Sequence, residues 1–258
     1  MGHFGWDALK QLEKADRGVE IQDGHTKPQQ ICESCAVGKG VAKRTSKEKP
    51  ERCTAAANLE RLHSDICGPV LPASRKGNTS FILFIDEKTR AINGYAIKAK
   101  SQAPDKIESA ILEFERRDRR HKVQRLRCDN AKELISKRVQ EMLLKRGIVP
   151  ETSAPYSPNQ NGLVERYNRT VLEMIRCLLH QANFPAYLWE DAFEVALHIL
   201  NRRVNAQTGG IPIEELTGEK ADLSHLKAFG AEARVVIDNG GKKLSKLAPR
   251  TRKAFFLG

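Results

Sequence analysis

No apolar run in the chain is long enough to cross a bilayer as a helix, and the first residues lack the charged-then-apolar layout of a secretory leader. No membrane partner is therefore expected. Aromatic residues make up only 6%, too few for the stacking platforms that grip single-stranded nucleic acids. Of six cysteines only Cys32 and Cys35 are close neighbours, so no disulfide framework is expected and a reducing, intracellular compartment is. Acid is also scarce: 32 Asp and Glu stand against 44 Lys and Arg, a formal charge of +12, and residues 240–258 contain none. That surplus favours a polyanionic partner, nucleic acid first, because phosphate binding releases condensed counterions. What is present is ample core material. With 258 residues and 40% hydrophobic side chains, the chain reads as a soluble globular fold without internal repeats.

Residues 1–35 have little core periodicity but hold His3, His25 and the Cys32-Glu-Ser-Cys35 pair, whose spacing suits tetrahedral zinc. The basic stretch "GKGVAKRTSKEKPER" reads as a linker. From residue 59 the pattern tightens. "LERLHSDIC" alternates, with Leu62 and Ile66 on one face and His63 and Asp65 on the other. "FILFID" has the continuous apolar character of a central strand, and "AINGYAIKA" reads as its neighbour across a turn at Glu87–Arg90. Ile107, Ala110, Ile111 and Phe114 keep a helical period, "VQRLRCD" reads as a fourth strand ending at Asp129, and "ELISKRVQEMLLKRG" as a helix stopped by Gly147. Longer helices are expected over about 162–182 and 186–203, divided by Pro185. The residues thus describe an antiparallel meander with a parallel strand added, a mixed α/β arrangement. Short β segments, "AEARVVID" and "KAFFLG", follow.

Three acids stand out. On the helix after Gly162, Val164, Tyr167, Val171, Met174, Ile175 and Leu178 form an apolar stripe, with Glu165 at its edge. Taken alone, Glu165 suits a salt bridge to Arg169 one turn on. Asp65 and Asp129, on neighbouring strands of such a sheet, would share one rim facing that helix. Converging carboxylates repel one another unless cations sit between them. An oxygen-only cluster suits Mg²⁺ or Mn²⁺, and a two-metal site suits in-line phosphoryl displacement. Asp86 reads as a strand-end or turn residue. The basic run "RRDRRHKVQRLR" and the C-terminal "GKKLSKLAPRTRK" are either solvated faces or phosphate contacts, and beside a metal site the second reading is favoured.

Thirty-five residues separate Asp129 from Glu165. With that spacing, "LHSDICGP", "FIDEKTR", "LRCDNAKEL" and "SAPYSPNQNGLVERYNRT" resemble, in order, the signature blocks of the retroviral-type integrase core, closest to Ty1/copia-type retrotransposon integrases. "LWEDAFEVALHILNRRVN" and the blocks from "IPIEELTGEK" to "KAFFLG" resemble that group's tail, so the likeness covers nearly the whole chain.

The resemblance implies a ribonuclease H-like fold, a mixed five-stranded sheet flanked by helices. It implies that Asp65, Asp129 and Glu165 hold Mg²⁺ or Mn²⁺ and catalyse strand transfer: a 3′-hydroxyl of element cDNA attacks a target phosphodiester, in the nucleus. Its partners would be double-stranded DNA, both element ends and target, and further copies of the chain in a homo-multimer. Asn159, Gln160, Asn161, Arg166 and Arg169 would lie against DNA. An HHCC zinc module is also implied, with His3, Cys32 and Cys35 as three of its four Zn²⁺ ligands and the first histidine beyond the start of the chain, as in a piece of a longer Pol polyprotein. The organisation expected is a truncated zinc module over 1–38, a basic linker over 39–58, the catalytic core with helical extension over 59–205, and a small basic SH3-like β module over 206–258. One departure stands out: Ala131 and Lys132 replace the family's two glycines after Asp129-Asn130. Glycine reaches backbone conformations that these residues resist. Hence the rival reading, an integrase-derived nucleic-acid-binding protein without catalysis.

Overall fold

A computed structural model describes residues 11, 32–39, 55–128, 136–152, 162–224, 226–237 and 247–258. At its centre is a five-stranded sheet of β1 (Arg61–Cys67), β2 (Ser80–Asp86), β3 (Ile92–Ile97), β4 (Arg125–Cys128) and β5 (Val149–Thr152), in the order β3-β2-β1-β4-β5. The first three strands run antiparallel, and β4 and β5 join β1 in parallel. Helices cover both faces, which makes a three-layer α/β/α core. The helices are α1 (Glu33–Lys39), α2 (Ala103–Arg117), α3 (Lys137–Lys145), α4 (Gly162–Ala182), α5 (Trp189–Arg202) and α6 (Pro212–Thr217).

β2 shows why its sequence is apolar without alternation. All seven residues are buried. Ile82 and Phe84 join Leu62, Leu126 and the buried residues of α2 and α3 on one face. Phe81, Leu83 and Ile85 join α4 and α5 on the other, with the Phe81 ring 4.8 Å from that of Phe193. Each such side chain contributes about 1.5–3 kcal/mol by leaving water. β3 approaches α5 closely at Gly94, where a Cβ would stand 2.8 Å from the Ile82 carbonyl oxygen and 2.9 Å from the Phe193 ring. A side chain at this position would therefore push the strand and the helix apart.

The β2–β3 turn forms where the sequence predicts it. Asp86 is fully buried and accepts hydrogen bonds from the Leu59 N–H at 3.0 Å, the Thr89 N–H at 2.8 Å and the Thr89 hydroxyl at 2.7 Å. Burial nevertheless pushes its carboxyl above the usual range, against these bonds. Arg90 closes the turn at φ 63. At the end of α3, Gly147 takes φ 70, the left-handed conformation that ends helices.

β5 is the strand that residue pattern does not reveal. It spans four residues, one of them Pro150, and Val149 is exposed. The Val149 N–H bonds the Gln124 carbonyl at 2.9 Å and so faces the sheet, which turns the next residue, Pro150, to the outer edge. In the final stretch the described residues form an antiparallel ribbon of β6 (Glu232–Val236) and β7 (Thr251–Phe255).

Candidate active site

Asp65 sits half-buried in β1, whose alternation directs Leu62 and Ile66 to the α2–α3 side and Cys67 to the α4–α5 side, as the sequence predicts. Its Oδ1 accepts the Ile66 N–H at 2.9 Å, and its Oδ2 accepts the Asn168 Nδ2–H at 2.7 Å. Asn168 lies on α4, one turn beyond Glu165. The hydrogen bond therefore ties the strand carrying Asp65 to the helix carrying Glu165. With its Nδ2 spent on Asp65, Asn168 leaves Oδ1 buried and without a hydrogen-bond partner.

Glu165 is exposed in the first turn of α4, where a carboxylate is favoured by the helix dipole. Its expected salt bridge does not form. Arg169 instead lies 3.9 Å from Glu173. Asp129 falls outside the described residues, but the strand leading to it does not. β4 pairs in parallel with β1, with His63 opposite Arg127 and Ser64 opposite Cys128. The last residue of β4, Cys128, is thus paired with the immediate neighbour of Asp65 in β1.

Of the proposed DNA contacts, Asn159, Gln160 and Asn161 lie outside the described residues, as does His3 of the zinc set. Arg169 is exposed, and Arg166 is half-buried with a buried Nη2 that has no hydrogen-bond partner. Cys32 and Cys35 flank the start of α1, which packs on α4. There the Ser34 hydroxyl lies 3.1 Å from His180 Nδ1, and Cys177 donates to the Ser34 carbonyl at 3.2 Å. Cys128 is a buried core residue, as its strand position predicts. Burial pushes the Cys67 thiol up to about 11, the charge of Asp65 adding to the effect.

The basic run after α2 is largely paired. Arg117 meets Glu113, Arg120 meets Asp118, Lys122 meets Glu115, and Arg125 and Arg127 both meet Glu151. These ion pairs leave the Arg120, Lys122 and Arg125 side chains 57%, 74% and 46% exposed. Sequence reasoning passed over Glu151 and Asn168. Glu151 lies 24 residues or more from its partners, and Asn168 sits at helical spacing within an apolar stripe.

The described donors fit a divalent cation. Asp65 and Glu165 both offer carboxylate oxygens, the donor type that magnesium and manganese take. Among the described residues alone, no group of three metal-ligating side chains is assembled.

A mixed five-stranded sheet between helical layers, with an acid on its central strand facing an acid-bearing helix, is the ribonuclease H-like architecture of integrase cores. Residues 55–158 match the integrase core domain family. The chain is 31% identical over 261 residues to the retrovirus-related Pol polyprotein from transposon TNT 1-94 of Nicotiana tabacum, a match covering 100% of this chain and 19% of that polyprotein. It is 33% identical over 184 residues to the Pol polyprotein from transposon RE2 of Arabidopsis thaliana, covering 69% of this chain and 12% of the relative. The simian T-cell lymphotropic virus intasome, solved in complex with PP2A regulatory subunit B56 gamma, superposes with a TM-score of 0.53. That match covers 81% of this chain and 70% of the other at 17% identity, a likeness of fold. The chain belongs to the integrase core family, as a homologue of the Pol polyproteins of plant copia-type retrotransposons.

Proposed function

We propose that the chain catalyses divalent-metal-dependent strand transfer, joining 3′-ends of element cDNA to target DNA, with Asp65, Asp129 and Glu165 as the metal-holding acids. The observation that carries this reading is the 2.7 Å bond from Asn168 to Asp65, which ties the strand acid to the helix that carries the exposed Glu165 one turn before Asn168. Family membership supports DNA integration as the process.

Divalent cations bound there would supply activation of the attacking 3′-hydroxyl and stabilisation of the leaving oxygen. The protein's part is to hold its donors ready. Asn168 fixes the orientation of the Asp65 carboxylate, and the α4 stripe anchors the helix so that Glu165 projects from a rigid base. The net charge of +12 favours a polyanionic substrate. The partners in this reading are double-stranded element ends and target DNA, bridged by a homo-multimer acting in the nucleus. A zinc ion held by His3, Cys32 and Cys35 with a fourth ligand belongs to the same proposal.

The test is strand transfer with element-end oligonucleotides in Mg²⁺ or Mn²⁺. Joined product from the wild type and none from Glu165→Gln is the expected result. If both proteins bind duplex DNA and neither joins it, the catalytic reading fails and the binding-only reading takes its place.

A further inference from the structure

Donors without an acceptor gather at the β2–β3 turn. Arg90, which closes that turn, is only 4% exposed, and its Nε is buried without a hydrogen-bond partner. Arg166, on α4, has a buried Nη2 in the same condition. Among the described residues neither guanidinium meets a carboxylate. Two long-range contacts bring these residues to one corner. Asn201, near the end of α5, accepts the Ile92 N–H at 2.8 Å and donates to the Ile92 carbonyl at 2.8 Å. That pair seats the end of the helix on the start of β3, two residues after Arg90. Asn205, just beyond α5, donates from Nδ2 to the Tyr167 hydroxyl at 2.8 Å and so ties α4 to the same place. Tyr167 follows Arg166 directly, and Arg203 caps α5 two residues before Asn205. Burial raises the pKa of the Tyr167 hydroxyl, while the charges of Arg90, Arg203 and Arg166 pull it the other way. Three arginines thus act on one oxygen. That oxygen accepts from Asn205, which leaves the Tyr167 O–H to donate.

Cations packed together without an acid repel one another, and a shielded guanidinium without an acceptor has given up water without gaining a partner. Two guanidinium forks and a phenol hydroxyl offer donors only. A tetrahedral oxyanion accepts from several of them at once and neutralises their charge. We propose that Arg90, Arg166 and the Tyr167 hydroxyl form a binding site for a phosphate group, with Arg203 adding charge beside it. Phosphate reaches such a site either as the free inorganic anion or as a backbone diester of nucleic acid. The site makes no use of Asp65 or Glu165, so it serves a catalytic chain and a binding-only one alike.

Thermal unfolding of the full chain, in metal-free buffer without DNA, compares potassium phosphate with potassium chloride at equal ionic strength. At about ten times its dissociation constant, phosphate should raise the midpoint by about 3–5 °C over chloride. Arg90→Gln and Arg166→Gln should each abolish that difference. Arg166→Lys, which keeps the charge but not the fork, should retain part of it. Arg166→Gln, at a half-buried helix position, carries the test if the buried Arg90→Gln variant does not fold. Equal wild-type midpoints in the two salts would leave water as the only occupant and overturn the proposal. A phosphate effect that survives in both Gln variants would be a general salt effect and overturn it equally. Displacement of a fluorescent duplex oligonucleotide then separates the two sources. If phosphate displaces it more than chloride does from wild type but not from Arg166→Gln, the site holds a backbone phosphate. If the two salts displace it equally while the midpoint shift persists, the site holds the free anion. Strand transfer is measured in neither assay, so loss of the catalytic reading leaves both results standing.

Discussion

Asp86 and Asp65 stand on adjacent strands of one sheet, and their surroundings set their roles. Asp86 closes the β2–β3 end. It is fully buried, and its bonds from Leu59 and Thr89 are all spent on holding the turn. Asp65 lies further along β1, where α4 crosses the sheet. It is half-buried and held by the Ile66 N–H and by the amide of Asn168, on the helix that also carries the exposed Glu165. In the first region the acid's own oxygens are matched by donors from the chain. In the second, a buried amide oxygen has no hydrogen-bond partner and an acid projects into solvent. A closed set of bonds contributes stability, whereas an open set leaves donors for a ligand from outside.

The widest separation of the two regions is expected from Glu165→Gln. It should lower strand transfer by roughly a thousandfold, about 4 kcal/mol of transition-state stabilisation, while the denaturation midpoint stays at the wild-type value. Asp86→Ala should do the reverse, costing about 3 kcal/mol in chemical unfolding because two N–H groups and a hydroxyl are left buried without an acceptor. DNA joining per folded molecule should change little. Asn168→Ala probes the border between the regions: removing the tether on Asp65 should slow strand transfer about tenfold, as loss of an outer-shell partner of a metal ligand does, with a smaller change in stability.

Asp118, at the end of α2, gives the gentlest test. Burial works to raise its carboxyl pKa, but hydrogen bonds from Arg120, Asn58 and His121 prevail and hold it well below the usual carboxylate range. A depressed folded pKa contributes stability that is present above the unfolded value and lost as pH falls through the folded one. Asp118→Asn should therefore cost about 1 kcal/mol at neutral pH. Measured by urea unfolding, that difference should shrink below about pH 4, where the unfolded carboxylate begins to protonate. A difference independent of pH would mean that packing, not charge, fixes this corner.

Much of this was legible in the residues. β1, β2 and β3 followed from alternation and from one uninterrupted apolar run, and α2 and α4 from helical spacing, because burial writes its period directly into hydrophobicity. β5 was not legible. Four residues with a proline and an exposed valine carry no period, and the fifth strand was expected only through family likeness. Asp65 and Glu165 were legible as acids at a strand and a helix edge, and their spacing from Asp129 gave them meaning. Asn168 and Glu151 were not, since their roles depend on partners 103 and up to 90 residues away in the chain. The same long separations concealed the pairing of the basic run. Charge alone suggested a surface for phosphate, but Arg125 and Arg127 are engaged by an acid from another strand.

Pro150 carries a consequence for how this protein meets its own copies. An unpaired strand at the border of a sheet exposes a row of donors and acceptors, and a neighbouring molecule can extend the ladder, the first step toward aggregation. At β5 the row is only four residues long, and one of its two outward positions holds a ring nitrogen without a hydrogen. The border thus offers a neighbouring strand one donor fewer, which weakens it as a template for a sixth strand.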